Sequence, residues 1–269
     1  MPTPRTLLLT GAAGGLGTLM RSLLPEYGYE LRLFDVRPID GEPDAITADL
    51  GDTAALREAV RGVDAVLHLA GISLEAPFGK ILRSNIEGTY NLYEAARQEG
   101  VPRIVFASSN HAVGFTPAPG AGDPVIAIDT PRRPDTFYGL SKAFGEDLAQ
   151  LYWDKHGLET VSVRIGSCFA EPADVRMLSV WMSPADGARL FHAALTAEEV
   201  GHTVVYGSSA NTRLWWDLGT ARALGYEPQD DSEQFAAKLI AEHGELDPGN
   251  PAHTHLGGRF VNDPPIWPY

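Results

Sequence analysis

The sequence predicts an α/β protein in which a doubly wound parallel sheet is followed by a small C-terminal portion. Over the first two-thirds of the 269-residue chain, short runs rich in Val, Ile and Leu alternate with segments of helical periodicity. Strands that alternate with helices pair in parallel through right-handed crossovers. The first strand leads through a glycine-rich turn directly into the first helix. Residues 1–166 are therefore predicted to form the sheet domain, and residues 167–269 a smaller part packed on it as one compact unit.

Each predicted element is bounded by turn residues. The predicted strands are Thr6–Leu9, Glu30–Phe34, Ala65–Leu69, Arg103–Ala107 and Thr160–Ile165. The predicted helices between them are Leu16–Leu24, Thr53–Val60, Asn85–Glu99 and Ser141–His156. Beyond Gly166 the signals are weaker, and they predict a strand at Thr203–Tyr206 and helices at Pro184–Leu195, Thr220–Leu224 and Ser232–His243.

Two segments are rich in Pro and Gly. Phe115–Pro134 contains seven such residues and is predicted to be a long loop, and a loop of that length within a compact domain is usually functional. The tail from Asp247 to Tyr269 is interrupted by similar residues. It is predicted to be an extended segment that wraps around the domain.

The composition excludes several classes of partner. Lys and Arg number 21 against 35 Asp and Glu, and the net charge of −14 argues against binding to nucleic acid or to an anionic membrane surface. The one cysteine, Cys168, excludes an intrachain disulfide, and His253 and His255 lack the companions that a metal site needs. No run approaches the about 20 apolar residues of a membrane span, so a cytoplasmic location is the default expectation. Any small anionic ligand must be held by a few local cationic groups.

The glycine-rich turn carries the first functional signal. Gly11, Gly14 and Gly17 have the spacing G-x-x-G-x-x-G between a strand and a helix. Glycine lets the backbone approach a pyrophosphate, and the N-terminus of the following helix offers free N–H groups to it. Asp35 ends the next strand eighteen residues after Gly17, where a carboxylate accepts hydrogen bonds from an adenosine ribose and repels a 2′-phosphate. The turn therefore predicts a Rossmann-type site for NAD, although Arg37 adds a cation that would suit a phosphate.

A second signal is the Y-x-x-x-K motif formed by Tyr138 and Lys142, which opens a predicted helix. The i,i+4 spacing places the phenol and the ammonium on one face of the helix. The positive charge is expected to lower the pKa of the phenol toward the range useful for a general base. Tyr and Lys occur at this spacing by chance in many helices, so the motif gains its weight from the glycine-rich turn upstream.

With these motifs the chain resembles the extended, sugar-modifying branch of the short-chain dehydrogenase/reductase superfamily. The segments that carry this resemblance follow in the expected order: Thr10–Gly17, Asp64–Gly71, Asn85–Asn91, Phe106–His111 and Tyr138–Lys142. Other segments are similar to the uronate dehydrogenase family: Gly71–Ser73, Pro77–Phe78, Ser108–His111, Arg164–Cys168 and Arg176–Ser179. That family oxidises the anomeric carbon of hexuronic acids, such as glucuronate and galacturonate, to aldaro-lactones with NAD.

The resemblance implies a role for each member of a catalytic set. Tyr138 is the expected general base for the C1 hydroxyl of the sugar, and hydride passes from C1 to NAD. Lys142 is expected to hydrogen-bond the nicotinamide ribose and to depress the pKa of Tyr138, while Ser109 holds the reacting oxygen. Arg176 is expected to bind the substrate carboxylate, because a guanidinium matches a carboxylate bidentately.

The resemblance also implies two sets of binding residues, and it gives the C-terminal portion, residues 167–269, a part in substrate binding. The expected cofactor-binding residues are Gly11, Ala13, Gly14, Gly15, Leu16, Gly17, Asp35, Asp49, Leu50, Leu69, Ala70, Gly71, Asn85, Lys142 and Cys168. The expected substrate-binding residues are Ser73, Ser109, Asn110, His111, Tyr138, Ser167 and Arg176. Asp49 and Leu50 are expected to end the third strand, and Cys168 is expected to line the nicotinamide pocket rather than act as a nucleophile.

Two other functions stay open at this point. The first is a nucleotide-sugar epimerase or dehydratase of the same branch. Against it, Asn110 and His111 stand where dehydratases have an Asp-Glu pair. In addition, residues 167–269 form a small portion for binding the nucleotide of a nucleotide sugar. The second is a non-catalytic NAD-binding sensor, which would have no need of a positioned base. The oligomeric state is open; the resemblance is compatible with a homo-oligomer.

Overall fold

The computed structural model describes residues 5–120 and 122–263. Its strands are β1 (Thr6–Thr10), β2 (Glu30–Asp35), β3 (Ile46–Thr47), β4 (Ala65–His68), β5 (Arg103–Ser109), β6 (Glu159–Ile165), β7 (Ser167–Cys168), β8 (Trp181–Met182) and β9 (His202–Gly207). Seven of them form one parallel sheet in the order β3-β2-β1-β4-β5-β6-β9, and β7 pairs with β8 separately. The predicted α/β fold with a doubly wound, Rossmann-type sheet is confirmed.

Helices connect these strands. The α-helices are α1 (Gly15–Leu23), α2 (Thr53–Val60), α3 (Phe78–Ile81), α4 (Gly88–Gln98), α5 (Phe137–His156), α6 (Pro184–Thr196), α7 (Gly219–Ala223), α8 (Ala236–His243) and α9 (Pro251–Thr254). Short 3-10 helices lie at Leu24–Tyr27, Asn110–Val113, Arg176–Ser179, Ser232–Phe235 and Gly258–Val261. The Thr136 hydroxyl begins α5 by accepting a hydrogen bond from Gly139 N (2.8 Å). Across the described ranges, no helix is long and apolar enough to cross a membrane.

The strand side chains alternate between two apolar layers. Leu7 and Leu9 of β1 point into a cluster that includes Phe191 of α6. Leu8 points to the opposite face, into a cluster that includes Leu92 of α4. This period of two, with apolar residues on both faces, is what a parallel sheet covered by helices on both sides requires.

Several boundaries differ from the predictions. The first residues of the helix predicted at Asn85–Glu99 lie in a π-helical segment, Leu82–Glu87, that joins α3 to α4, and Ser232–Phe235 is 3-10 rather than α-helical. β3 ends at Thr47, so Asp49 lies beyond the third strand and not at its end. Ends of this kind depend on packing that local periodicity does not show. β9 pairs with β6, so the sheet continues beyond residue 166.

The long loop and the C-terminal segment pack against each other. The backbone N of Ala118 donates to Thr254 O (2.8 Å), and the backbone N of Leu256 donates to Thr116 O (3.0 Å). The prediction of an extended tail is wrong for residues 247–263, because α9 and a 3-10 helix lie there. Asn250 begins α9 by accepting from Ala252 N, which is a local signal for a helix. Residues 264–269 of the predicted tail lie outside the described residues.

His68 of β4 is a neutral core histidine held by threonine side chains on both sides. Thr89 Oγ1 donates its proton to Asn85 O (2.5 Å), so it accepts from His68 Nε2 (3.4 Å). The other ring nitrogen, Nδ1, therefore accepts from Thr10 Oγ1 (2.7 Å), which itself accepts from Ala70 N. Burial, together with the charge of Lys142, lowers the pKa of His68 to about 3.

We expect His68 to make the fold sensitive to acid. Above its ordinary pKa of 6.5 the ring is neutral in both states, but between 6.5 and about 3 only the unfolded chain binds the proton. The unfolding free energy should therefore fall as the pH falls through that window, by roughly 5 kcal/mol in total from this group. Urea unfolding followed by circular dichroism across this pH range should show a flatter profile for His68→Gln than for wild type. His156→Gln, on the exposed end of α5, should leave the slope unchanged; equal slopes in all three proteins would contradict the prediction.

Candidate active site

The candidate site lies at the point where the order of the strands in the parallel sheet reverses. The chain passes from β1 outward to β2 and β3, and β4 begins the other half of the sheet on the opposite side of β1. Ligands bind in the crevice at the carboxyl ends of two such strands. Gly11, after β1, has a φ of 71°, and a Cβ there would lie 2.7 Å from Ala70 N after β4. Only glycine allows the two loops to approach this closely.

The glycine-rich turn leaves the start of α1 open. The backbone N of Gly14 donates to Gly11 O (2.9 Å), and a Cβ at Gly17 would overlap the same carbonyl, so α1 packs directly on the turn. At Gly15, by contrast, a Cβ would meet nothing within 4 Å. A pyrophosphate can therefore approach the first N–H groups of α1, which is the arrangement that binds dinucleotides.

Asp35 lies at the end of β2, beside this turn. Its Oδ2 accepts from Ala13 N (2.9 Å), and its Oδ1 accepts from Arg37 N (2.9 Å). A carboxylate has further lone pairs, so it can still accept hydrogen bonds from ribose hydroxyls. The Arg37 guanidinium donates to Ala13 O (2.5 Å) and lies 3.7 Å from Asp35 Oδ1. Because Arg37 is paired in this way, the geometry favours a ribose diol over a 2′-phosphate.

Asn85 fastens the loop after β4 to α5. Its Oδ1 accepts from Ile72 N (2.8 Å), and its Nδ2 donates to Ile72 O (2.8 Å) and to Ser141 Oγ (3.0 Å). Ser141 Oγ in turn donates to Tyr138 O (2.7 Å). Gly71 has a φ of 136°, and a Cβ there would lie 3.1 Å from Asn85 Oδ1. Asn85 thus positions the loop that includes Leu69–Gly71 against the helix of the Y-x-x-x-K motif.

Tyr138, Lys142 and Ser109 come together between β5 and α5, and all three are buried. Lys142 Nζ donates to Ala107 O (2.7 Å) and lies 5.5 Å from the centroid of the Tyr138 ring. The side chain of Ser109 hydrogen-bonds the Tyr138 phenol, and this bond favours the phenolate. The phenol is thus a potential base with an ammonium group and a hydroxyl group beside it.

The expected lowering of the Tyr138 pKa is wrong for the protein alone. Burial raises the pKa of Tyr138 to about 12, and the hydrogen bond from Ser109 offsets only part of this rise, to which the charge of Asp135 adds. Burial also lowers the pKa of Lys142 to about 8. The i,i+4 spacing shows that the two groups share a face, but it does not show that the phenol loses its hydration or that the ammonium turns toward Ala107.

Arg176 is a partly buried cation in this site. Its Nη2 donates to Leu256 O (2.5 Å), whereas its Nε is buried without a hydrogen-bond partner. Burial lowers the pKa of its guanidinium, although the charges of Asp174 and Asp135 raise it in part. Within residues 5–120 and 122–263, no carboxylate forms a salt bridge with it. Nη1 forms no hydrogen bond among the described residues, so the guanidinium can meet an anion through this nitrogen.

Other predicted residues surround this set. Ser167 in β7 is buried, and its Oγ has no hydrogen-bond partner among the described residues. Burial, with a smaller contribution from Asp186, raises the pKa of Cys168 to about 12, which favours the neutral thiol. Ser73 is exposed in the loop after β4, and Leu50 is buried in the turn after β3. In the parts of the chain that are described, no three His, Cys, Asp or Glu side chains are arranged to hold a metal.

The structure adds residues that the sequence did not indicate. Asp135 Oδ2 lies 2.7 Å from His111 Nδ1, and the Tyr138 backbone N donates to Glu75 Oε2 (3.0 Å). The ring of Phe260 in the C-terminal segment lies 4.6 Å from the His111 ring. Asp135 and Thr136 directly precede α5, so a helix-capping pattern is the one sequence signal that points to this position.

Comparison with known proteins identifies the family. The model of the NAD dependent epimerase/dehydratase family matches residues 7–183. The chain is 49% identical to the uronate dehydrogenase of Pseudomonas syringae pv. tomato, over 97% of this chain and 94% of that protein. It is 46% identical to the uronate dehydrogenase of Agrobacterium fabrum, over 97% of this chain and 98% of that protein. The chain belongs to the uronate dehydrogenases.

Solved structures agree with this assignment to the uronate dehydrogenases. The crystal structure of the enzyme from Agrobacterium tumefaciens superposes with a TM-score of 0.90 at 46% identity, covering 97% of each chain. A mutant of that enzyme, with the same TM-score, is complexed with NAD. The chain is therefore an NAD-dependent dehydrogenase, and the open start of α1 and the paired Asp35 fit that cofactor.

Proposed function

We propose that the chain oxidises the C1 hydroxyl of a hexuronic acid, D-glucuronate or D-galacturonate, to the aldaro-lactone with NAD. The observation that carries this proposal is the Arg176 guanidinium, which is partly buried, has an enclosed and unpartnered Nε, and forms no salt bridge among the described residues. A cation that is partly removed from water and forms no salt bridge gains stability from an anionic ligand, so its presence favours a substrate with a carboxylate. A neutral sugar would not need this cation.

The position of Arg176 supports the same substrate. Arg176 Nη2 and Asn110 Nδ2 both donate to Leu256 O, each at 2.5 Å. Asn110 directly follows Ser109 at the end of β5, and Ser109 hydrogen-bonds the Tyr138 phenol. A single carbonyl therefore links the cation to the strand end that carries the proposed catalytic set. This arrangement suits a ligand with a carboxylate at one end and a reactive hydroxyl at the other.

Tyr138 acts in this proposal as the general base that takes the proton of the C1 hydroxyl. As the C1 carbonyl forms, a hydride leaves C1, and NAD supplies the hydride acceptor when bound. Ser109 hydrogen-bonds the reacting oxygen, and Lys142 keeps a cation beside the phenol and donates to the nicotinamide ribose. Burial of all three side chains excludes water and holds the hydrogen bonds in a fixed direction.

The remaining predicted residues complete the proposed site. The glycine-rich turn, Asp35, Asn85 and the loop after β4 would hold the cofactor. Ser73, His111 and Ser167 would contact sugar hydroxyls. The cytoplasmic location and a homo-oligomeric state stay predictions from the sequence.

A panel of substrates tests this function. We expect purified protein with NAD to form NADH from D-glucuronate and D-galacturonate, with kcat/KM for D-glucose and D-galactose lower by roughly 30-fold or more, because they lack the charge that pairs with Arg176. NADH formation is followed by its absorbance, and the lactone product by NMR. Turnover of a UDP-sugar with no NADH formed from either uronate would contradict the proposal and favour a nucleotide-sugar epimerase or dehydratase.

A further inference from the structure

Asp135 and His111 form a hydrogen-bonded pair beside the proposed base. Asp135 Oδ2 lies 2.7 Å from His111 Nδ1, and Asp135 Oδ1 accepts from Thr136 Oγ1 (3.0 Å). The Asp135 side chain is 0% exposed, whereas the His111 side chain is 13% exposed. The imidazole therefore stands between a fully buried carboxylate and the accessible part of the site.

Three glycines from separate segments make room for the Asp135 carboxylate. A Cβ at Gly114, after β5, or at Gly257, in the C-terminal segment, would overlap Oδ2, and one at Gly139, in the first turn of α5, would lie 3.0 Å from Oδ1. Any larger residue at Gly114 or Gly257 would displace the carboxylate. The shape of the protein at this point thus fits a carboxylate held in one position.

The His111 ring is fixed by its neighbours as well. The Tyr138 ring packs edge-on at 5.6 Å between centroids, and the Phe260 ring does so at 4.6 Å. His111 follows the proposed catalytic Ser109 by two residues, and its backbone N donates to Ser109 Oγ (3.2 Å). This bond fixes the backbone that carries the imidazole. Among the described residues, none forms a hydrogen bond with His111 Nε2.

We propose that Asp135 is a positioning residue that fixes the His111 tautomer and makes Nε2 an acceptor for a substrate hydroxyl. An ionised carboxylate only accepts hydrogen bonds, so Nδ1 carries the proton and the neutral ring leaves a lone pair on Nε2. The two nitrogens lie on opposite sides of the ring, so Nε2 faces away from Asp135. Sugar hydroxyls other than the one deprotonated by Tyr138 need such acceptors. This inference rests on the proposed function only in its assignment of a sugar as the ligand.

Asp135→Asn is the decisive variant. The Thr136 hydroxyl donates its single proton to Oδ1, so the amide NH2 falls against His111 Nδ1, which must then accept and shift the ring proton to Nε2. Nitrogen-15 NMR of the imidazole should show Nδ1 protonated in wild type and Nε2 protonated in the variant. We expect kcat/KM for the uronate to fall roughly 5- to 150-fold, because the substrate hydroxyl then meets a donor, while the Kd of NAD is unchanged.

Two further variants distinguish a role of Asp135 in positioning His111 from a general role in the stability of the fold. In a His111→Phe background, which keeps the aromatic packing, Asp135→Asn should cost no additional kcat/KM. Asp129→Asn, the same change at an exposed position of the long loop, should retain wild-type kinetics. A wild-type His111 with the proton on Nε2, or with both nitrogens protonated, would overturn the proposal even if Asp135→Asn failed to fold. Because the NMR measurement needs no substrate, it stands even if the chain proves inactive on uronates.

Discussion

Tyr138→Phe is expected to remove nearly all turnover while NAD still binds. The substitution deletes only the phenolic oxygen of a buried side chain, so the packing against His111 and the backbone bond to Glu75 are retained. General-base catalysis by a positioned side chain contributes roughly 10²–10⁴ to the rate, and kcat should fall by about that factor. The Kd of NAD, measured by calorimetry, should change little, because the phenol is not part of the glycine-rich turn or of the Asp35 site.

The wild-type pH profile gives a second readout of the same role. Burial raises the pKa of Tyr138 to about 12, so the phenolate fraction in the free protein increases as the pH rises toward that value. We therefore expect kcat/KM to rise with pH across the neutral range, and this rise should be absent from the residual activity of Tyr138→Phe. Tyr90→Phe, which removes an exposed phenol on α4, serves as the matched control. Full activity in Tyr138→Phe would exclude this tyrosine as the base.

The fold, and the backbone geometry of the proposed cofactor site, were predictable because their signals are local. Leu7–Leu9 form a short apolar run bounded by a turn, and the glycine spacing places Gly11, Gly14 and Gly17 within one strand–turn–helix unit. The apolar run and the glycine spacing both indicate a backbone conformation that is set by residues close together in the sequence. Asp35 follows from the length of that unit, since the next parallel strand must return to the same edge of the sheet.

The substrate side of the site was harder to predict because it depends on contacts between distant segments. His111 and Asp135 are 24 residues apart, and Asn110 meets Leu256 over a separation of 146 residues. Nothing in the local pattern of the C-terminal segment shows that it supplies a carbonyl to two site residues. The sign of the Tyr138 pKa shift was missed for a related reason, since burial arises from the whole fold and not from the helix that carries the motif.

Arg176→Met is expected to raise the KM for uronates by roughly 30- to 1000-fold, with a much smaller effect on the KM for NAD. Methionine keeps most of the length and apolar surface of the side chain but removes the charge, and loss of one partner of a buried ion pair costs about 2–4 kcal/mol. The preference for uronates over neutral hexoses should therefore disappear in this variant. Steady-state kinetics with both classes of sugar measure the change, and Arg222→Met, on α7 and exposed, is the control for loss of an arginine charge.

The stability of Arg176→Met distinguishes a ligand-binding role from a structural one. If the main task of Arg176 were to hold the Leu256 carbonyl, its loss would destabilise the fold and shift the KM values for uronate and NAD alike. In the protein alone, however, the guanidinium is partly buried with an unpartnered Nε, and replacing charges in such places with apolar side chains is often neutral or stabilising. We expect the unfolding free energy from urea titration to stay level or to rise by about 1–3 kcal/mol while uronate binding is lost. A variant with a higher unfolding free energy but impaired uronate binding would show that Arg176 lowers the stability of the protein and serves to bind the substrate.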